Sequence, residues 1–320
     1  MASTSAGATA RQRNEELARA ALVLLIVPAV VLILLELRSH PALLVPFYLA
    51  LVVALAAFCW RRLPPSSFKV FCLYVLGFGL FNGIRVYADA TGLPVSFHYP
   101  IDIDASVFGV SPTVWLQRHF FHAGQVGTLD QLAVLVYLSY FVGHFVVAGY
   151  LLAFRRDLLT QHAGAITATL FFGLILYLVL PTAPPWMAAQ AGDLPHIFRI
   201  TQDVTNDVSS NLYAQGASVA GNNDVAAMPS LHTALTAVVA MTLWRMNRVA
   251  GVLGWLYVAA MGFSLVYLGE HYFTDVAAGV VVAVACWHLV RHLSARASFA
   301  RLTMRGEVAP ALETPITDTR

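Results

Sequence analysis

Two short stretches hold the residues whose types and spacing can do chemistry. One is Met228-Pro229-Ser230-Leu231-His232; the other is Gly269-Glu270-His271-Tyr272-Phe273-Thr274-Asp275. Residues four apart on a helix share a face, so the side chains of His271 and Asp275 can touch. A carboxylate that holds one ring nitrogen of a histidine leaves the other free to react and stabilises the charged imidazole. His232 stands at a helix start directly after Pro229-Ser230, where unpaired N–H groups can bind an anion. Two imidazoles suit phosphoryl transfer: one attacks phosphorus and becomes a phospho-histidine, and the other gives a proton to the departing oxygen. Cationic or hydrogen-bonding groups must then offset charge on the non-bridging oxygens. Ser230, Arg85 and Arg118 are the candidates for holding a phosphate or headgroup, with Arg199 beside them. The bland alternative makes the histidines helix-end residues that meet water or headgroups, and pairs each arginine with a nearby aspartate.

The elements that must position these residues are membrane helices. Of the 320 residues 58% are hydrophobic and only 11% are charged, where a soluble domain carries about 25% charged residues. Apolar runs at 20–35, 42–60, 68–84, 131–154, 163–180, 229–244, 249–268 and 272–289 predict eight spans. The fold class expected is an all-α, polytopic integral membrane helix bundle. Residues 1–18 read as a cytoplasmic tail, 19–67 as a transmembrane hairpin, 68–292 as the membrane catalytic domain and 293–320 as a second cytoplasmic tail. Residues 85–130 are mixed and interrupted by Pro94, Pro100 and Pro112. Pro112 to His122 predicts a short interfacial helix, because Trp115, Phe120 and Phe121 suit the headgroup region. Residues 187–227 read as a polar loop.

With eight spans, all of the 19 Lys and Arg residues except Arg38, Arg85, Arg118 and Arg199 fall on one side. The positive-inside rule then puts both termini in the cytoplasm and the histidine motifs at the outer face, most naturally of the plasma membrane. Cys59, Cys72 and Cys286 lie in apolar runs and make neither a disulfide framework nor a metal spacing. A metal needs three or four convergent ligands, and only His232 and His271 are evident, so no metal and no cofactor is expected. There is no basic stripe for nucleic acid. The expected partners are lipid substrates within the bilayer. His144 reads as an interhelical hydrogen-bonding residue, Gln117 and Tyr137 as packing residues with the lining of a lipid headgroup pocket as the alternative, and His288 and His292 as interfacial ones at the opposite membrane end.

The paired motifs resemble the second and third motifs of the type 2 phosphatidic acid phosphatase superfamily. The resemblance implies His271 as nucleophile, Asp275 as its partner and His232 as acid. Leu231 between Ser230 and His232, in place of glycine, is similar to the inositol phosphorylceramide synthase and sphingomyelin synthase branch. So are Asp104-Ala105-Ser106-Val107-Phe108-Gly109, Pro112-Thr113-Val114-Trp115-Leu116-Gln117 and Pro181-Thr182-Ala183-Pro184-Pro185-Trp186. That branch implies transfer of a phospho-headgroup, of the inositol-phosphate kind, between lipids. The phosphatase reading replaces the lipid acceptor with water and hydrolyses a lipid or polyprenyl phosphate. A non-catalytic lipid-binding or transport protein is the reading of another class; deep intramembrane charges would favour it, and almost none occur. The chain departs from simple phosphatases at Ser264, which Leu265 follows where they carry arginine, and it lacks their Lys- and Arg-bearing first motif. Vanadium haloperoxidases share the scaffold, and the missing clamp argues against vanadate.

Overall fold

The computed structural model describes residues 41–63, 66–85, 92–208 and 225–304. The described residues form 11 helices and no strand. In chain order these are α1 (Pro41–Arg62), α2 (Ser67–Arg85), α3 (His98–Phe108), α4 (Pro112–Phe120), α5 (Thr128–Phe154), α6 (Arg156–Val179), α7 (Pro185–Ala191), α8 (Ile200–Val208), α9 (Leu231–Met246), α10 (Arg248–Tyr267) and α11 (Phe273–Met304).

Among the described residues five helices are long and apolar enough to cross a membrane: α2, α5, α6, α10 and the 273–296 part of α11. Their outward faces carry Val142, Val146, Phe154, Ile175, Val252, Leu253, Leu256 and Val281, all exposed. Apolar surface that continuous is stable against lipid and not against water. The chain is an integral membrane protein.

The third, fourth, fifth, seventh and eighth predicted spans map onto these five helices with some shifts, and the other three do not. The first, 20–35, lies outside the described residues. The second coincides with α1. The sixth is α9, whose 16 residues reach roughly 24 Å at 1.5 Å per residue, short of the ~30 Å hydrocarbon layer. It sits at the centre of the bundle, packed against α5, α6, α10 and α11, with Leu231, Ala234, Leu235, Ala237, Val238 and Ala240 all buried. A helix apolar on every side is stable there because protein surrounds it. The fifth predicted span begins earlier than expected, at Arg156, because only Arg155 breaks the helix, at φ −140° and ψ 57°. Arg155 pairs with Asp157 at 3.0 Å, so the Arg155-Arg156-Asp157 stop is a sharp corner and not a loop. The segment read as a polar loop, 187–227, contains most of α7 and all of α8, and α11 runs on past residue 292 to Met304.

Two caps set the start of the central helices. Ser230 Oγ accepts from Thr233 N–H (3.4 Å) at the head of α9, and Asn247 Oδ1 accepts from Ala250 N–H (2.8 Å) at the head of α10. Both are residue types that satisfy free N–H groups at helix starts. His144 makes its expected interhelical bond, with Tyr74 of α2, and its carbonyl meets His162 Nε2 of α6 at 3.3 Å.

Candidate active site

Antiparallel travel through α9 and α10 returns the chain to the end of the bundle where α9 began, and α11 starts there. His232, in the first turn of α9, therefore meets His271, just ahead of α11. Close approach of the two helix starts makes the meeting possible. Ser230 N–H donates to the Asp275 carbonyl (3.0 Å), and a Cβ on Gly279 would lie 2.3 Å from the Ser230 carbonyl oxygen. Only a residue without a side chain fits there. Gly269, at φ +79°, turns the chain out of α10 into the His271 segment, a conformation that glycine adopts without strain.

His232 Nδ1 lies 3.2 Å from His271 Nε2. On the far side of that ring, His271 Nδ1 lies 3.4 Å from Asp275 Oδ2, which also accepts from Tyr272 N–H (2.9 Å). His271 and Asp275 are buried, and His232 is half-buried. The three residues expected to act together are thus in one line: carboxylate, imidazole, imidazole. An ionised Asp275 fixes the His271 tautomer with its proton on Nδ1, so Nε2 presents its lone pair toward His232. The His232 ring rests against Tyr140 and Tyr137, with centroids 4.3 and 5.0 Å away.

The candidate phosphate-binding residues part company. Ser230 is fully buried, and its hydroxyl oxygen serves the α9 cap and Thr233 Oγ1 (3.2 Å). Arg85, at the end of α2, is near enough for its charge to act on His232, Tyr140 and Tyr177. Arg118 is exposed on α4, and among the described residues no hydrogen bond or ion pair joins it to the histidines. Arg199 is the arginine placed beside the His271 segment. Its guanidinium carbon stands 3.9 Å from the centre of the Trp186 ring, and Nη2 is 3.8 Å from Oε2 of Glu270, the residue before His271. The Pro184-Pro185 start of α7 delivers Trp186 to this position, and Trp186 N–H donates to the Gly269 carbonyl (3.3 Å).

Three loops are knitted together at this end. Ser96 N–H donates to Pro181 O (2.9 Å), Thr182 N–H to Val225 O (2.8 Å) and Ala227 N–H to Thr182 O (3.2 Å). The Tyr99 hydroxyl bonds Thr182 Oγ1 at 2.7 Å; burial pushes its phenol up to about 12, so it stays neutral. Gln117, read as a packing residue, is a polar brace: its amide donates to the Phe198 and Tyr267 carbonyls (3.0 and 2.9 Å) and accepts from Phe198 N–H (2.9 Å).

Sequence reasoning assigned no role to Asp104 beyond its place in a motif. The structure buries it beneath the start of α11, where it accepts from Phe273 N–H (3.0 Å), Thr274 N–H (2.9 Å) and the Thr274 hydroxyl (2.5 Å). Burial raises its pKa above the ordinary carboxylate value, while these bonds pull it part of the way back down.

The membrane helix bundle thus carries a carboxylate-backed histidine pair at one end. Residues 98–289, more than half of the chain, match the family model of the PAP2 superfamily. The chain belongs to that superfamily, whose members are phosphatases or phosphotransferases. Among curated proteins and solved structures none matches it.

Proposed function

We propose that the protein is a membrane lipid phosphotransferase that works through a phospho-His271 intermediate. The observation that carries this reading is the 3.2 Å approach of His232 Nδ1 to His271 Nε2, with Asp275 behind the second ring. Once the two rings part to admit a phosphate, its phosphorus meets the His271 Nε2 lone pair, with the leaving oxygen turned toward His232. As the N–P bond forms, the bond to the leaving oxygen breaks, and His232 gives that oxygen its proton. Asp275 stabilises the positive charge that develops on His271. In the second half an acceptor hydroxyl loses its proton to His232 and attacks the phospho-histidine, which frees His271.

Arg199 and Arg85 supply positive charge in place of the clamp that simple phosphatases carry. Arg118, exposed on α4, and Ser230, whose hydroxyl caps α9, take no part in that clamp. The replacement of glycine by Leu231 and the Asp104 to Gln117 segment support a lipid acceptor. Water in its place gives a lipid phosphatase by the same steps. Eight spans, cytoplasmic termini and an outward-facing site in the plasma membrane complete the reading.

The test offers purified protein in liposomes a radiolabelled phosphoinositide, with and without diacylglycerol or ceramide, and follows both lipid products and free phosphate. The transferase makes a new phospholipid only with acceptor present, and His271→Ala abolishes it. Phosphate release indifferent to acceptor would make the enzyme a phosphatase. Equal turnover by wild type and His271→Ala would remove His271 from the mechanism.

A further inference from the structure

Asp104 does more than fill a space. The first N–H groups of a helix have no partner within it, and those of α11 at Phe273 and Thr274 are met by Asp104 from α3. That first turn lies between His271 and Asp275, so the placement of α3 governs how the turn is held.

The remaining surface of α3 has two other stripes. His98, Asp102 and Ser106, each four residues apart, form an exposed polar stripe. Ile103 and Val107, also four apart, are 44% and 63% exposed. Phe108, Val110, Trp115 and Phe120 extend this apolar surface onto α4. Phe108 meets Phe273 edge-on, with ring centroids 4.9 Å apart, and Phe273 is the exposed first residue of a membrane-spanning helix. The patch is therefore continuous with the lipid-facing surface of α11. A short helix with a polar stripe beside an apolar one suits the plane of the headgroup–acyl boundary, and aromatic residues favour that depth.

We propose that α3 and α4 lie in the bilayer interface through this patch, and that Asp104 makes their seating a positioning element for the His271–Asp275 turn. The seating stands on the surface alone; the positioning rests on the phosphoryl-transfer reading of His271 and Asp275.

Seating is tested with a nitroxide at Val107→Cys or Phe120→Cys, in a background with Cys59, Cys72 and Cys286 replaced, in phosphatidylcholine–phosphatidylglycerol vesicles. Oxygen should collide with these labels more often than a water-soluble nickel chelate does, and the order should reverse at Asp102→Cys. Labels at 107 and 120 open to the chelate would overturn the seating. Positioning is tested by diethyl pyrocarbonate labelling of His271, read by mass spectrometry. Asp104→Ala should speed it several-fold, Thr274→Val less, and His144 and His162 should not change. An unchanged His271 rate, or a rise at all three histidines alike, would overturn the positioning role. Neither measurement uses turnover, so a chain inactive on every lipid would sink the catalytic reading while both results here still decide this one.

Discussion

Asp275 is wholly buried, yet among the described residues only its Oδ2 is hydrogen-bonded, and Oδ1 has no partner. An unsatisfied buried acceptor costs about 1–3 kcal/mol. On the proposed reading this carboxylate holds and charge-balances His271. Asp275→Asn keeps the shape and loses the charge. We expect turnover to fall on the order of 10²–10⁴-fold with apparent melting temperature no lower, as checked by single-turnover lipid assays and thermal unfolding in detergent. Asp104 gives a pH signature of known sign. Its folded-state pKa is raised by burial, so its favourable contribution is complete below the unfolded value of about 3.9 and is lost as pH rises through the folded value. The melting-temperature advantage of wild type over Asp104→Asn should therefore shrink from acid toward neutral pH. A difference constant with pH would contradict the raised value.

At the scale of elements, the site depends on how closely α9 and α11 approach at their starts. Gly279→Ala would bring a Cβ to 2.3 Å from the Ser230 carbonyl oxygen, a backbone atom that cannot swing aside. We expect the helix starts to part, at a cost of about 1–3 kcal/mol, and His232 to draw away from His271. Thermal unfolding and lipid turnover should both decline; an unaffected variant would show that the contact is dispensable. The His271–Asp275 pair was legible because i,i+4 spacing is local geometry. That His232 joins it followed from counting helices, but the tight contact did not, since Gly279 looks like any glycine in an apolar run. Asp104 was opaque for a different reason: its partners lie 169 and 170 residues away, and Pro100 disguises α3 as loop. Arg199 was visible as a cation and not as the one beside His271, because its place depends on Trp186 and Glu270 from two other segments.

At the scale of the whole molecule, orientation decides which lipid leaflet the site can reach. Chain order puts the starts of α9 and α11 at one end of the bundle, together with the 92–97 and 180–184 loops. The Arg155-Arg156 corner and the Arg245–Arg248 turn lie at the other, where the basic residues concentrate. Short loops rich in Lys and Arg stay in the cytoplasm, so the histidine end should face outward. A fusion of green fluorescent protein after residue 304 should fluoresce, and alkaline phosphatase fused there should be inactive. Alkaline phosphatase inserted within 192–196, at the histidine end, should be active. Single-cysteine labelling of intact cells at Asp193→Cys by an impermeant maleimide tests the same end without a fusion. The reverse pattern would turn the site toward the inner leaflet and confine its donors to cytoplasmic lipids. Active phosphatase at both places would mean an even number of spans between them. The crossings assigned to α9, α10 and α11 would then be miscounted, and the eight-span arrangement would fail even if the chemistry at His271 held.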